Sequence, residues 1–216
     1  MDRRNFLRNG LKGTAAYALL GGTIAGSQAT RAARGVESKP VTETEIENLM
    51  YMREEEKLAR DVYLTMYDTW GLEVFYNIAQ SEEVHTDAVR AKIEKYALAD
   101  PVIDDAVGVF VNRDIALLYD TLVAQGRISE LDALFVGGAI EEIDMIDIQQ
   151  AIDEAEHRDI QRLYENLMAG SKNHLRAFVS EIEKRGVEYP AQYLDQQVLD
   201  QILSGTSGMR GIALPA

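Results

Sequence analysis

The chain contains no cysteine, so disulfide scaffolds, thiolate zinc sites, iron–sulfur clusters and cysteine nucleophiles are all excluded. Histidine is nearly as scarce, with only His85, His157 and His174. Any metal site must therefore use carboxylate oxygen and these few imidazoles, a donor set that suits iron, manganese or zinc. Basic charge is short as well: 22 Lys and Arg stand against 36 Asp and Glu, a formal net charge of −14. Setting aside residues 1–29, whose net charge is +3, leaves −17. A surface this acidic repels phosphate backbones and argues against nucleic acid as a partner, and it concentrates cations instead. Long hydrophobic runs are missing too. The apolar stretch from Thr14 to Ala25 is too short and too rich in glycine for a permanent membrane span.

What the N-terminus does have is an address. Met1 to Arg8 pairs two arginines and follows them with Phe6, Leu7 and Arg8. This resembles a twin-arginine export signal, lacking only the usual Ser or Thr before the pair. Ser27-Gln28-Ala29 puts small residues where a signal peptidase reads, so residues 1–29 are expected to be cleaved. Residues 30–41 read as a linker. The mature chain is expected outside the cytoplasm, in the periplasm or at the cell exterior. The twin-arginine route carries folded cargo, often already loaded with a cofactor, which suits a metal-containing bundle.

The body reads as helices. Thr42 and Thr44 precede acidic residues and an apolar period, so a long helix starts near Glu43 and stops at Trp70-Gly71. A second covers Glu73 to Leu98 and closes before Asp100-Pro101. A long connection with a short helix over Arg113–Ala124 follows, and it implies a crossover between the second and third core helices. Ser129 starts the third, which continues to about Ala155, and the fourth runs from His157 to Lys184. A short amphipathic helix over Tyr193–Leu203 lies in a tail, residues 188–216. The expected fold is all-α, a four-helix bundle over residues 42–187.

Four of these helices carry polar residues on core faces. Glu82 and His85 lie three apart within the stripe Phe75, Ile78, Val89 and Ile93, so both leave the buried face side by side. An ionised Glu and a His there are costly unless paired, and a metal ion is one such partner. Glu56 shares a face with Met52, Ala59 and Tyr63, whereas Glu54 and Glu55 read as solvated positions. Glu141 aligns with Leu134, Met145 and Ile148, Asp144 follows one turn on, and Glu142 belongs to a neighbouring face. Gly137 and Gly138 would let a helix or a substrate come close. His174 sits on the stripe Ile160, Leu167, Phe178 and Ile182. His157, at a helix start in a polar stretch, reads as structural.

Glu56 with Ala59-Arg60 and Tyr63, then Glu82-x-x-His85, Glu141 and His174, resembles the ferritin-like superfamily, including rubrerythrins and bacterioferritins. The segments 55–63, 81–85 and 170–178 are similar to the ferritin-like "domain of unknown function 2202" family. The resemblance implies a carboxylate-bridged centre of two metal ions, iron first, with manganese or zinc as alternatives. Glu82 and a carboxylate of the third helix would bridge, and Glu56, His85 and His174 would be terminal. The pattern departs at Ser171, where a Glu should precede His174 by three, so Asp144 or Glu142 is expected to make up the set.

Two functions follow. One is an oxidoreductase reacting with oxygen, peroxide, ferrous iron or a small molecule, in which Tyr63 is better read as orienting a ligand than as an electron donor. The other is a non-enzymatic extracytoplasmic module that binds metal or is stabilised by it. A homo-oligomer is compatible with either.

Overall fold

The computed structural model describes residues 39–205, and among them there are six helices and no strand. They are α1 (Glu43–Trp70), α2 (Glu73–Lys95), α3 (Arg113–Gly126), α4 (Glu130–Glu154), α5 (Arg158–Glu183) and α6 (Gln196–Leu203). The export signal expected at residues 1–29, and the linker up to residue 38, lie outside the described residues. No helix among the described residues is long and apolar enough to cross a membrane.

The helix ends follow from local chemistry. Thr42 and Glu45 form a capping box at the start of α1, each side chain accepting the other's backbone N–H. Gly71 ends α1 in the left-handed conformation (φ 67°), and its N–H donates to the Tyr67 carbonyl at 2.7 Å. Asn112 and Ser129 cap α3 and α4 with their side-chain oxygens. One end differs from expectation: α2 stops at Lys95 rather than Leu98. Ala97 turns left-handed there (φ 54°), and the Leu98 N–H reaches back to the Ile93 carbonyl at 3.0 Å. The chain has therefore already left the helix before Asp100-Pro101.

Short links make α1–α2 and α4–α5 antiparallel hairpins, and the crossover places α1 on α4 and α2 on α5. α3 leans on α1 and α4 as part of that crossover, and α6 rests on α5. Gly137 and Gly138 do let neighbours come close. A Cβ on Gly137 would meet the Phe178 ring of α5, and one on Gly138 would meet Tyr189 of the tail. Tyr63, Phe75 and Phe178 pack ring on ring in the interior, with centroids 5.1–6.2 Å apart. Two turns before Tyr63 on α1, at Glu56, the interior turns polar.

The burial of α1 corrects the sequence reading of Glu54 and Glu55, both of which are buried rather than solvated. Glu54 accepts the backbone N–H groups of Val111 and Asn112 at 2.7 and 2.9 Å, tying the crossover to α1. Glu55 faces α4, where it meets Asp147. A helix covered by α2, α3, α4 and the crossover has little solvated face to offer.

Candidate metal centre

Glu82 stands at the middle of the polar layer. Its Oε1 lies 2.8 Å from His174 Nδ1 and its Oε2 lies 2.7 Å from His85 Nδ1. Each histidine faces a second carboxylate: Glu56 Oε2 is 3.2 Å from His85 Nδ1, and Glu141 Oε2 is 3.4 Å from His174 Nδ1. The two imidazole rings are 5.3 Å apart. Glu56, Glu82, His85, Glu141 and His174, contributed by four helices, thus converge in a near-symmetric arrangement about one shared carboxylate.

Neighbouring donors hold these groups in place. His174 Nε2 lies 2.8 Å from Ser81 Oγ, which leaves Nδ1 facing the carboxylates. The Tyr63 hydroxyl donates to Glu141 Oε1 at 2.5 Å, so it orients Glu141 rather than its helix neighbour Glu56. Ser171 donates to Asp144 Oδ2 at 2.6 Å. Asp144 therefore stands beside the position where the resembling families carry a glutamate. Glu142 does not join the centre: its carboxylate accepts from Tyr189, Gln192, Tyr193 and Leu194 and anchors the tail. His157 has the structural role expected of it, bound to Glu45 at the start of α5.

Sequence reasoning missed two residues that shape this site. Ser81 carries no pattern of its own. Gly170, in the middle of α5, could have been noticed, because a mid-helix glycine costs about 1 kcal/mol against alanine and calls for a packing reason. That reason is His85: a Cβ on Gly170 would lie 2.4 Å from its Nε2.

Burial and ion pairing compete across the cluster. Burial raises the Glu56 carboxyl to about 8, against the opposing pull of His85. Burial likewise raises Glu141 and Asp144, the latter strongly because Glu56, Glu141 and Glu82 crowd it. Burial also acts to raise Glu82, but the pairs with His174 and His85 outweigh it and hold this carboxyl below its usual range. Burial opposes charge on the imidazoles, yet the carboxylates beside them push His85 up to about 12 and His174 up to about 10. Metal-free, the site holds protons where a cation would otherwise balance the acids.

The donor set fits a metal. Glu56 Oε1 and Asp144 Oδ1 are buried with no hydrogen-bond partner among the described residues, and Glu82 Oε2, Glu141 Oε2 and His174 Nδ1 face charged members of the cluster itself. Glu82, His85 and His174 each offer a ligand atom within 4.8 Å of the others. Open lone pairs in a dry interior are rare in finished hydrogen-bond networks and are what a metal ligand must keep.

Residues 45–206 match the family model described as "Uncharacterized protein domain (DUF2202)". The chain belongs to this family. It is 48% identical over 169 residues to "Uncharacterized protein MJ0754" of Methanocaldococcus jannaschii, covering 78% of this chain and 91% of that protein. A crystal structure of the hypothetical protein MJ0754 from Methanococcus jannaschii superposes with a TM-score of 0.76 at 48% identity, over 79% of this chain and 97% of that one.

Proposed function

We propose that this DUF2202 member is a ferritin-like four-helix bundle whose Glu/His centre holds two metal ions, iron by choice of donors, and that it works as an oxidoreductase on oxygen, peroxide or ferrous iron. The observation that carries the reading is the Glu82 carboxylate set between two histidine Nδ1 atoms, each backed by a further glutamate. In this reading Glu56, Glu82, His85, Glu141 and His174 would hold the metal, and Asp144 would supply the carboxylate absent at Ser171. When bound, iron would supply the electrons for reducing oxygen or peroxide.

The chain's own residues do the rest. Ser81 fixes the His174 tautomer, Tyr63 and Ser171 fix Glu141 and Asp144, and the apolar rings of Phe75 and Phe178 exclude water from one end. Twin-arginine export of the folded, loaded protein belongs to the same proposal.

The test is metal content of the full chain purified from its export route, alongside Glu82→Ala and His174→Ala. About two irons per chain, lost in both variants and accompanied by oxygen or peroxide consumption, is the expected result. One zinc or manganese per chain without turnover would replace this reading by a metal-binding or metal-stabilised module. No metal in a folded protein would remove the centre altogether.

A further inference from the structure

The tail that follows α5 is tied to both helices that carry Glu141 and His174. On α4, Glu142 stands next to Glu141 and is fully buried. Its carboxylate accepts the backbone N–H groups of Gln192, Tyr193 and Leu194 at 2.5–2.9 Å and the Tyr189 hydroxyl at 2.9 Å. The Tyr189 ring stacks on Phe135, and Gln192 Nε2 donates to the Phe135 carbonyl at 2.8 Å. On α5, Arg176 stands two residues beyond His174, and its Nε donates to the Ile202 carbonyl of α6 at 2.7 Å. Leu194, Leu199 and Ile202 are buried along the same stretch, so the tail belongs to the packed interior. Glu56 and His85, by contrast, come from α1 and α2.

Successive residues leave a helix about 100° apart around its axis, so pinning one side chain fixes the direction of the next. A buried carboxylate bonded to three consecutive N–H groups is a firm pin, because its bonds are charge-assisted and costly to break away from water. α4 needs one here, since Gly137 and Gly138, one turn before Glu141, give it no side chains to lock against its neighbours. We propose that Glu142 and Arg176 are positioning residues, through which the tail sets the aim of Glu141 and His174 toward the metal. The inference rests on the proposed metal centre and makes its two sides unequal. The Glu141 and His174 side depends on the tail, and the Glu56 and His85 side does not.

The experiment compares the full wild-type chain with Glu142→Gln, which keeps the size of the side chain, and Arg176→Met, which removes the donor to Ile202. Leu122→Ala supplies a loss of stability from α3, which packs on α1 and α4, and a thermal melt reports how far each variant is destabilised. With only three histidines in the chain, imidazole NMR of the metal-free protein follows His174 and His85 separately, and an anaerobic Fe2+ titration measures affinity. In Glu142→Gln and Arg176→Met the His174 signals are expected to move more than those of His85, and Fe2+ affinity to fall about 10–100-fold. Leu122→Ala is expected to leave both readouts as in wild type. Tyr189→Phe, which removes one donor to Glu142 and keeps the ring, should act in the same direction and stands in if Glu142→Gln does not fold. Unmoved His174 signals with unchanged affinity overturn the proposal. So do changes of the same size in Leu122→Ala, because the tail would then contribute only to general stability. Failure of the metal centre itself reads differently, since wild type would then bind no Fe2+ at all.

Discussion

Two buried polar regions meet on α1, and they are built on different principles. In the first, Lys57, Arg60 and Asp61 close a network with the crossover. Lys57 binds Asp61 at 2.5 Å and the Ala106 carbonyl at 2.9 Å, and lies over the Phe110 ring. Asp61 also accepts from Arg60 and from the Gly108 N–H, and Arg60 goes on to Glu83 and Asp105. Each charge there faces one of opposite sign, and none of the three residues has a buried polar atom lacking a hydrogen-bond partner. In the second, around Glu55, Glu56, Glu82, Glu141 and Asp144, acids outnumber bases and lone pairs stay open. A polar network that only holds a fold together satisfies itself, whereas one that binds an ion must leave room for the missing charge.

The sharpest way to break this contrast is to make the same kind of exchange on both sides. Asp61→Asn leaves the Lys57 charge buried without its partner, and chemical denaturation is expected to show a loss of about 3–5 kcal/mol. Glu56→Gln replaces a carboxyl that is already largely protonated near neutral pH, so the metal-free fold should lose less than about 1 kcal/mol while metal affinity drops. Equal destabilisation by the two exchanges would erase the distinction.

The pH profile of the metal-free protein is the next largest effect. Glu56, lifted from 4.5 to about 8, holds its proton in the folded chain and loses it in the unfolded chain across that window, so its contribution falls as pH rises. His85 and His174, lifted from 6.5 to about 12 and about 10, contribute fully below 6.5 and lose that contribution as pH climbs. Each histidine accounts for up to about 1.4 kcal/mol per pH unit above 6.5. Glu82, held below the ordinary carboxyl value of 4.5, acts in reverse and loses its contribution only as pH falls below that value. Melting in the presence of a chelator should therefore be highest near pH 4.5, decline above it, and decline more steeply above pH 6.5. A flat profile up to pH 9 would show that the cluster is not electrostatically strained.

Two smaller changes sharpen the contrast from the metal side. Gly170→Ala pushes a methyl against His85 and should weaken metal binding about 10–100-fold in a competition titration. Helix propensity favours the alanine by about 1 kcal/mol, so a melt alone would hide the damage. Ser81→Ala removes the partner of His174 Nε2 and should weaken binding about tenfold, the smallest effect expected here. Unchanged affinity in both variants would mean that neither histidine is held for a metal.

Much of the molecule was legible in one dimension because the signals are local. Thr42 with Glu45, Gly71 and Ser129 mark helix ends through bonds that span only a few residues. Glu82 and His85 share a face because residues three apart on a helix always do, and the apolar stripe around them identified that face as buried. Only tertiary structure could decide which neighbour each acid meets. Glu54 and Glu55 looked solvated because a glutamate run near a helix start usually is, and no local pattern reveals that the crossover and α4 cover that side. By spacing Asp144 shares the Glu141 face and Glu142 lies on a neighbouring one, but only the fold shows the returning tail taking Glu142 and Ser171 taking Asp144. Helical periodicity fixes the direction in which a side chain leaves its own helix, while the identity of its partner depends on contacts between segments far apart in the chain, which periodicity does not encode.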